Sequence, residues 1–426
     1  MNKMDNGVKQ TSIESPVARN DDFSHAEIAR FRDQTEGCKN VIHFNNAGAS
    51  LMPDVVRQSV MDHIGLESRI GGYEASGIRA DAVQTFYKHA GQLLNTNPQN
   101  IAFTASATDS YTRALSSIPF QPGDIILTDN DDFVSNQIQF LSCAKRFGTK
   151  IARIRSSPGG GVDLLDLERQ LWSLRPRLLA ITHIPTNSGL VQPVDDIAEL
   201  YAKYVRAHGD RSWYILDACQ SVGQMKLDVQ ELKCDFLSVT GRKFLRGPRG
   251  TGFLYVADRV LQGGLEPMFI DMRGAEWVEP DKYEPRETAM RFEDWEFAYA
   301  LLLGTSEALR YCLTIGENRI WRRVSSLAQV VRNELSGFDK IRVLDKGPQL
   351  GGLVTFTVKG TDPLDILDTL AKAKINVVPS YRNFAVIDFD EKKTKWAIRV
   401  SPHYFNTTEE IGEFIDVLKG ILRNPV

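Results

Sequence analysis

Residues 237–256 read LSVTGRKFLRGPRGTGFLYV. An apolar run at 236–239 opens this stretch and an aromatic, β-branched run at 252–256 closes it, so both ends are predicted strands. Glycines and Pro248 fill the connection, and Lys243 stands where the first strand should end. We expect a lysine between apolar segments to be partly removed from water. Desolvation lowers the pKa of an amine and makes it a nucleophile toward carbonyl groups.

The connection around Lys243 allows more than one interpretation. A nucleophilic amine indicates a Schiff base, and the commonest carbonyl partner in proteins is pyridoxal phosphate. Alternatively, Lys243 and the nearby Arg242, Arg246 and Arg249 form a solvated basic loop, and the stretch alone leaves these two open. A phosphate-binding glycine loop of the nucleotide type is disfavoured, because such a loop leads into a helix and this one leads into a strand.

The composition is that of an ordinary globular protein and excludes several classes of function. The 426 residues are 42% hydrophobic and 25% charged with a net charge of −3, which favours two domains and gives no support for binding nucleic acid or a membrane surface. The five cysteines form no CxxC pair, so neither a metal site nor a disulfide framework is indicated. Residues 1–22 are polar and lack an apolar targeting segment, so we predict a flexible tail and a cytoplasmic protein.

Helical and strand patterns alternate along the first two thirds of the chain. Helices are predicted between successive strands, and the strands are expected at 101–104, 124–129, 150–155, 178–183, 213–217 and 236–240. This order predicts an α/β fold with a mostly parallel sheet covered by helices on both faces. After about residue 290 the pattern changes to two long helices, at 295–313 and 317–335, followed by mixed strands and helices. We therefore predict a large domain at 23–290 and a smaller α+β domain at 291–426.

Polar and small residues follow the predicted strands where each strand ends. In open parallel sheets, ligands bind beyond the carboxyl ends of the strands, so these residues should meet at one edge. Each has an ordinary explanation by itself, as a turn former, a helix cap or a core residue. Together they supply a phosphate cradle, an aromatic face, an amide, an acid and an amine, as pyridoxal phosphate requires. They are Ala105 to Thr108, Asp132 and Phe133, Thr186 and Asn187, Asp217 and Gln220, and Thr240 with Lys243.

Six motifs resemble the class V group of fold-type-I pyridoxal-phosphate enzymes, which includes cysteine desulfurases, selenocysteine lyases and isopenicillin-N-epimerase-like proteins. The motifs are FNNAGAS (44–50), TASATDS (104–110), HIPTNSGLVQPV (183–194), LDACQSVGQ (216–224), TGRKFLRGPRGTGFLYV (240–256) and IRVSPHYFNTTEEI (398–411). The resemblance implies a large domain with a seven-stranded-type, mostly parallel sheet and a smaller C-terminal α+β domain. It also implies pyridoxal 5′-phosphate as cofactor and a homodimer.

The resemblance implies a role for each matching residue. Lys243 would be the Schiff-base lysine and catalytic residue, and Asp217 the partner of the pyridine nitrogen. Arg399 would bind the substrate carboxylate through its bidentate guanidinium, with Asn46 also on the substrate side. The other cofactor contacts are Ala107, Thr108 and Thr240 at the phosphate, Arg242 near it, Phe133 on the ring, and Asn187 and Gln220 at the phenolic oxygen.

Three departures from the family pattern affect the expected chemistry. Phe133 stands where desulfurases place a histidine on the cofactor ring, and Arg242 replaces the usual histidine before the lysine. Residues 377–395 contain no cysteine, although desulfurases carry their persulfide-forming cysteine in this region. Cys219 is expected to be a packing residue. The glycine–threonine pair that often reaches a neighbouring subunit is displaced within residues 291–305.

We therefore predict a pyridoxal-phosphate enzyme acting on an amino acid. The favoured reaction is β-elimination, with carbon–sulfur cleavage of a cysteine derivative and no persulfide cysteine. An aminotransferase or an amino-acid epimerase of the same family is the alternative. A non-catalytic family member that acts as a binding protein is a more distant one.

Overall fold

The computed structural model describes residues 23–209 and 211–423, so the predicted tail at 1–22 lies outside the described residues. The helices of this part of the chain vary from one turn to more than five. They are α1 (His25–Asp33), α2 (Asp54–Ile70), α3 (Gly72–Ile78), α4 (Ala80–Leu94), α5 (Ala107–Ser117), α6 (Val134–Phe147), α7 (Leu164–Leu174), α8 (Val194–His208), α9 (Val229–Leu232), α10 (Asp258–Gln262), α11 (Tyr299–Ile315), α12 (Glu317–Ser336), α13 (Pro363–Lys372), α14 (Val386–Glu391) and α15 (Thr408–Arg423). Short 3₁₀ turns lie at Glu36–Lys39, Pro98–Asn100, Ala289–Phe292 and Arg382–Phe384.

The strands are short and belong to four sheets. They are β1 (Ile42–His43), β2 (Ile101–Thr104), β3 (Ile125–Thr128), β4 (Lys150–Arg153), β5 (Leu178–Thr182), β6 (Trp213–Asp217), β7 (Phe236–Thr240), β8 (Gly252–Val256), β9 (Ala275–Glu279), β10 (Lys282–Pro285), β11 (Ile341–Val343), β12 (Val354–Val358), β13 (Ile375–Asn376), β14 (Val378–Tyr381) and β15 (Trp396–Val400).

The central sheet has seven strands in the order β2-β8-β7-β6-β5-β3-β4. Strand β8 runs antiparallel to both of its neighbours, and the strands from β7 to β4 are parallel. Successive residues of one strand enter different apolar cores: Leu179 and Ile181 pack in one, Leu178 and Ala180 in the other. Burial on both faces explains why these strands are continuous apolar runs in the sequence. The predicted mostly parallel sheet covered by helices is confirmed.

A second sheet near the C-terminus is antiparallel, in the order β11-β12-β15-β14. Its core also includes Phe44, and β1 pairs with β13, so the segment before α2 packs with the C-terminal part of the chain. The buried Arg246 joins the same regions, because its guanidinium donates to Leu51 O at 2.8 Å and to Tyr404 Oη at 2.5 Å. The division into domains at residue 290 stays a prediction.

Several elements differ from the sequence prediction. The helix predicted from residue 295 begins at Tyr299, because the residues before it satisfy their polar groups elsewhere: the Trp295 N–H donates to Asp271, and Asp294 pairs with Arg113. The hairpin of β9 and β10 was not predicted, since β9 is almost wholly exposed and has no apolar face. Among the described helices, none has both the length and the apolar character needed to cross a membrane.

Candidate active site

A cavity opens at the carboxyl ends of β5, β6 and β7, beside the first turn of α5. Its lining includes most of the residues predicted to hold the cofactor, which are Ala107, Thr108, Phe133, Asp217, Gln220, Thr240, Arg242 and Lys243. Ser106, Ser135, Asn136, Thr182, Ile184, Thr186 and Cys219 also line it. The sheet thus brings together groups that lie more than 130 residues apart in the sequence, as expected for the ends of parallel strands.

Lys243 follows β7 and is buried in this cavity. Its Nζ lies 5.8 Å from the centroid of the Phe133 ring and makes no hydrogen bond to any described residue. Burial lowers the pKa of Lys243 to about 8, and the positive charges of Arg242 and Arg399 act in the same direction. About a tenth of the amine is therefore neutral at pH 7, far more than for a lysine of ordinary pKa, and the neutral form is the nucleophile.

Asp217 ends β6 and lines the same cavity. Its Oδ1 accepts from the Cys219 N–H at 3.0 Å, and its Oδ2 accepts from Asn136 Nδ2, also at 3.0 Å. Asn136 Nδ2 also donates to Asp132 Oδ1 at 2.9 Å, so one amide bridges two carboxylates. Sequence reasoning missed this bridge.

Asp132 is held by several donors of its own. The Thr128 hydroxyl donates to it at 2.8 Å, the Thr182 hydroxyl at 2.5 Å and the Phe133 N–H at 2.7 Å. Burial raises the pKa of Asp132 despite these bonds. The Asp132 carboxylate therefore holds the backbone of Phe133 and, through Asn136, the orientation of Asp217.

The first turn of α5 supplies free backbone N–H groups at the cavity. Ser106 caps the helix by accepting from the Asp109 N–H at 3.1 Å, which leaves Ala107 and Thr108 at the helix start. A Cβ atom at Gly252 would lie 2.8 Å from Ala107 N, so only glycine lets β8 approach this turn so closely. With Thr240 beside it, this turn has the donors and dipole direction that favour a phosphate.

Arg399 on β15 reaches the region beside this cavity from the second sheet. Its Nη1 donates to Thr186 Oγ1 at 2.7 Å, and its Nη2 to Asn45 Oδ1 at 3.3 Å. Burial lowers the pKa of Arg399 to about 10, with Arg242 contributing in the same direction, and its buried Nε has no protein partner among the described residues. Gln220 Nε2 donates to the same Thr186 hydroxyl at 3.1 Å.

Besides Arg399, two predicted residues, Asn187 and Asn46, lie away from the cavity lining. Asn187 accepts from the Ser380 hydroxyl and donates to Phe384 O at 3.5 Å, while the adjacent Thr186 faces the cavity. The side chain of Asn46 is used in internal bonds, donating to Ser401 O at 2.8 Å and accepting from Ser50 Oγ at 2.6 Å. Thr186 lines the cavity where Asn187 does not, and Asn45 accepts a hydrogen bond from Arg399. The cofactor role of Asn187 and the substrate role of Asn46 stay predictions.

Arg242 and Cys219 also line the cavity. Arg242 donates to Gly48 O and its own carbonyl accepts from the Ser50 N–H at 2.8 Å, which ties the lysine loop to the segment before α2. The Cys219 thiol is buried, and burial raises its pKa well above the ordinary value. This agrees with the expected packing role of Cys219.

Comparison with known proteins identifies the family of this chain. The profile of the aminotransferase class-V family matches residues 42–414. The chain belongs to this family. Its members are pyridoxal-phosphate-dependent enzymes and this chain is one of them, so the predicted family, fold type and cofactor are confirmed.

Relatives and solved structures carry related names. A probable cysteine desulfurase of Pyrococcus abyssi is 28% identical over 91% of this chain and 95% of its own length. The apo cysteine desulfurase of Thermococcus onnurineus NA1 superposes with a TM-score of 0.83 and 24% identity, covering 93% of this chain and 98% of that one. The structure of the cystine C–S lyase C-DES in complex with its reaction product cysteine persulfide superposes with a TM-score of 0.79 and 24% identity. The superposition covers 90% of this chain and 99% of that one. At this identity the superpositions establish a common fold.

The residues of the cavity fit pyridoxal phosphate. Three polar groups of buried residues have no hydrogen-bond partner among the described residues. They are the amine of Lys243, Oε1 of Gln220 and Nε of Arg399. Buried polar groups rarely stay unpaired, so their convergence indicates a polar ligand. The start of α5 suits its phosphate and Asp217 suits its pyridine nitrogen.

Proposed function

We propose that this enzyme is a lyase that cleaves the carbon–sulfur bond of a cysteine derivative and forms no persulfide on its own chain. The observation that carries the proposal is the composition of residues 377–395. This segment contains no cysteine, and its residues Ser380 and Phe384 contact Asn187, the neighbour of the cavity-lining Thr186. A desulfurase needs a chain thiolate to take the substrate sulfur.

The remaining cysteines do not supply that thiolate. Among the described residues, Cys219 is the cysteine in the cavity lining, and its buried thiol lies 3.9 Å from Ser238 O. Burial raises the pKa of Cys38 to about 11 and that of Cys143 to about 11, and it also raises the pKa of Cys234 and of Cys312. None of these four thiols is therefore an effective nucleophile near neutral pH. Elimination, in which sulfur leaves with the substrate fragment, needs no such thiol.

Each residue of the site has a task in an elimination. Bound pyridoxal phosphate supplies the electron sink for a carbanion at Cα. The ε-amino group of Lys243 would hold the cofactor, and the same amine would remove the Cα proton as a general base. Asp217 keeps a proton on the pyridine nitrogen, and Arg399 binds the substrate carboxylate with help from Thr186 and Asn45.

The overall reaction balances without an oxidant or a reductant. Lys243 takes the proton from Cα, the Cβ–S bond breaks, and its electron pair leaves with sulfur as a thiolate, or as a persulfide when the substrate is a disulfide. The leaving sulfur takes up a proton. The released 2-aminoacrylate is hydrolysed by one water to pyruvate and ammonium. The related cystine C–S lyase C-DES, whose complex contains its reaction product cysteine persulfide, gives this kind of sulfur product.

Product analysis tests the proposal. Holoenzyme is incubated with L-cystine, S-alkyl cysteines and L-cysteine, and we expect equal amounts of pyruvate and ammonium, with persulfide from cystine. Alanine with enzyme-bound sulfur would indicate a desulfurase, a pyridoxamine-form cofactor an aminotransferase, and a D-isomer without pyruvate an epimerase. Each of these results overturns the proposal. Lys243→Ala should be inactive, whereas Cys219→Ser should keep its product pattern.

We also propose that the enzyme is a cytoplasmic homodimer. Large apolar side chains are exposed on the hairpin region and on α3, among them Phe269, Trp277 and Tyr73. Exposed large apolar side chains in such number favour a surface that binds another protein chain. Sedimentation analysis of the holoenzyme should give twice the chain mass of 47.8 kDa; a monomer at micromolar concentration would contradict the dimer.

A further inference from the structure

The two residues Thr186 and Asn187, which follow β5, are held from several places in the C-terminal part of the chain. Thr186 contacts Arg399, and Asn187 contacts β14 and the turn after it. A third contact comes from Lys392, the residue that follows α14. Sequence reasoning gave Lys392 no role.

Lys392 is buried, and both of its contacts are specific. Its Nζ donates to Asp388 Oδ2 at 2.7 Å and to the backbone carbonyl of Asn187 at 3.1 Å. Asp388 is only 2% exposed and Lys392 only 9%. Burying a lysine is costly unless it is paired, and removing one partner leaves an uncompensated charge. The backbone of Asn187 is thus held by a hydrogen bond from a buried, charged donor.

The side chain of Asn187 reinforces this attachment. Its Oδ1 accepts from the Ser380 hydroxyl on β14, and its Nδ2 donates to Phe384 O at 3.5 Å. Strand β14 pairs with β15, and Val378 lies opposite Arg399 in that pairing. The contacts of Asn187 therefore lead back to the strand that carries the arginine.

Thr186, the residue before Asn187, holds the orientation of the Arg399 guanidinium. Both the carbonyl and the hydroxyl of Thr186 accept from Arg399 Nη1, at 3.2 and 2.7 Å. A shift of the Thr186 backbone would move both acceptors together. Arg399 could then turn its guanidinium away from the bidentate geometry that a carboxylate needs.

We propose that Lys392 is a positioning residue for the substrate carboxylate: by holding Asn187, it fixes Thr186 and thereby the guanidinium of Arg399. The inference rests on the proposed function only for the role of Arg399 toward an amino-acid carboxylate. Other charged groups around α14 are Asp131, Lys346 and Glu391, and the last two form an ion pair at 3.1 Å. Lys392 differs from them in reaching the Asn187 carbonyl.

The test is Lys392→Met, which keeps the unbranched chain at one atom shorter and removes the charge and the donors of the lysine. Holoenzyme is titrated with 2-aminoisobutyrate, which lacks a Cα proton, and with isopropylamine, in which a hydrogen atom replaces the carboxylate, while the cofactor absorbance is followed. Neither ligand has a leaving group on Cβ, so neither can undergo elimination. We expect the dissociation constant for 2-aminoisobutyrate to rise about tenfold, as for loss of one hydrogen bond to a charged group, and that for isopropylamine to stay within about twofold. Lys392→Arg should restore most of the affinity.

Lys395→Met is the matched control, since Lys395 is an exposed lysine of the same segment, and it should bind both ligands like the wild type. If Lys392→Met does not fold, Ser380→Ala removes a neighbouring hydroxyl contact to Asn187 and should show the same selective loss, about threefold. Equal weakening of both ligands, or no weakening of 2-aminoisobutyrate, overturns the inference. The titration involves no turnover, so a holoenzyme that binds as expected but releases no pyruvate refutes the lyase proposal alone.

Discussion

The guanidinium of Arg399 donates to the hydroxyl of Thr186 at 2.7 Å, although the two residues are 213 positions apart in the chain. The bond joins a strand of the C-terminal sheet to a loop at the edge of the central sheet. It orients the arginine before a substrate arrives, while Nε remains without a protein partner among the described residues. A carboxylate can therefore bind without a large rearrangement of the arginine.

The first prediction concerns Arg399→Ala. Loss of a charged hydrogen-bonding group should raise KM for amino-acid substrates by about 10- to 100-fold, because the carboxylate loses its cation. The cofactor absorbance and the affinity for cofactor should be unchanged, since Arg399 lies outside the cavity lining. Steady-state kinetics and a cofactor titration measure the two quantities. An unchanged KM would refute the assigned role.

The second prediction uses the pKa of Lys243, which burial lowers to about 8. Only the neutral amine attacks an aldehyde, so the rate at which apoenzyme takes up pyridoxal phosphate should rise with pH and level off above about pH 8. A lysine with an ordinary pKa would give a rate still rising near pH 10. Stopped-flow absorbance across pH 6 to 10 distinguishes the two cases, with Lys243→Ala as a control that forms no covalent adduct.

The third prediction concerns the amide that bridges Asp217 and Asp132. Asn136→Leu keeps a similar volume but removes the donor, so Asp217 loses one of its two hydrogen bonds in this network and its fixed orientation. We expect the cofactor to dissociate about tenfold more readily. Gln139→Leu removes an amide from the same helix outside the cavity and should bind cofactor normally. If Asn136→Leu retains cofactor as well as the wild type does, the bridge has no role in cofactor binding and the prediction is wrong.

How far the sequence could predict the site differs between its residues. The sequence could place Lys243 and Asp217 at the cavity because Asp217 ends β6 and Lys243 closely follows β7, and the sequence defines the positions of both apolar strands well. Thr186 and Asn187 are neighbours in one loop, and which of them faces the cavity depends on the contacts of Asn187 with Ser380 and Phe384, which no local pattern encodes. The same one-residue ambiguity separates Asn45 from Asn46.

Other parts of the fold gave weaker sequence patterns. Asn136 lies in the first turn of α6, and Asp132 precedes that helix by two residues, so a contact between these close neighbours could have been considered. The hairpin of β9 and β10 could not, because exposure of nearly every residue of β9 removes the alternation of apolar and polar residues. Lys392 follows a six-residue helix and looks like any other lysine in a charged segment until its burial is known.

The last prediction concerns Asp131, which lies two residues before Phe133. Burial, with the nearby carboxyl of Asp388, raises the pKa of Asp131 to about 7, although Lys392 and Lys346 act in the opposite direction. In the unfolded chain the pKa should be about 3.9. The folded state therefore binds the extra proton between these values, and stability should fall as pH rises from about 4 to about 7. Above pH 7 Asp131 is ionised in the folded state too, so burial of its carboxylate lowers the free energy of unfolding by the full amount.

Asp131→Asn removes that ionisation and should stabilise the protein at pH 8 by about 1–3 kcal/mol. At pH 5 the wild type has lost only about a third of the stability that it loses between pH 4 and pH 7, so the difference between the two proteins should be about a third of that at pH 8. Asp281→Asn changes an exposed aspartate in the hairpin turn and should leave the unfolding temperature unaltered at both pH values. Calorimetry at pH 5 and pH 8 measures the differences. A destabilised Asp131→Asn at pH 8 would mean that attraction to the two lysines outweighs the desolvation of the carboxylate.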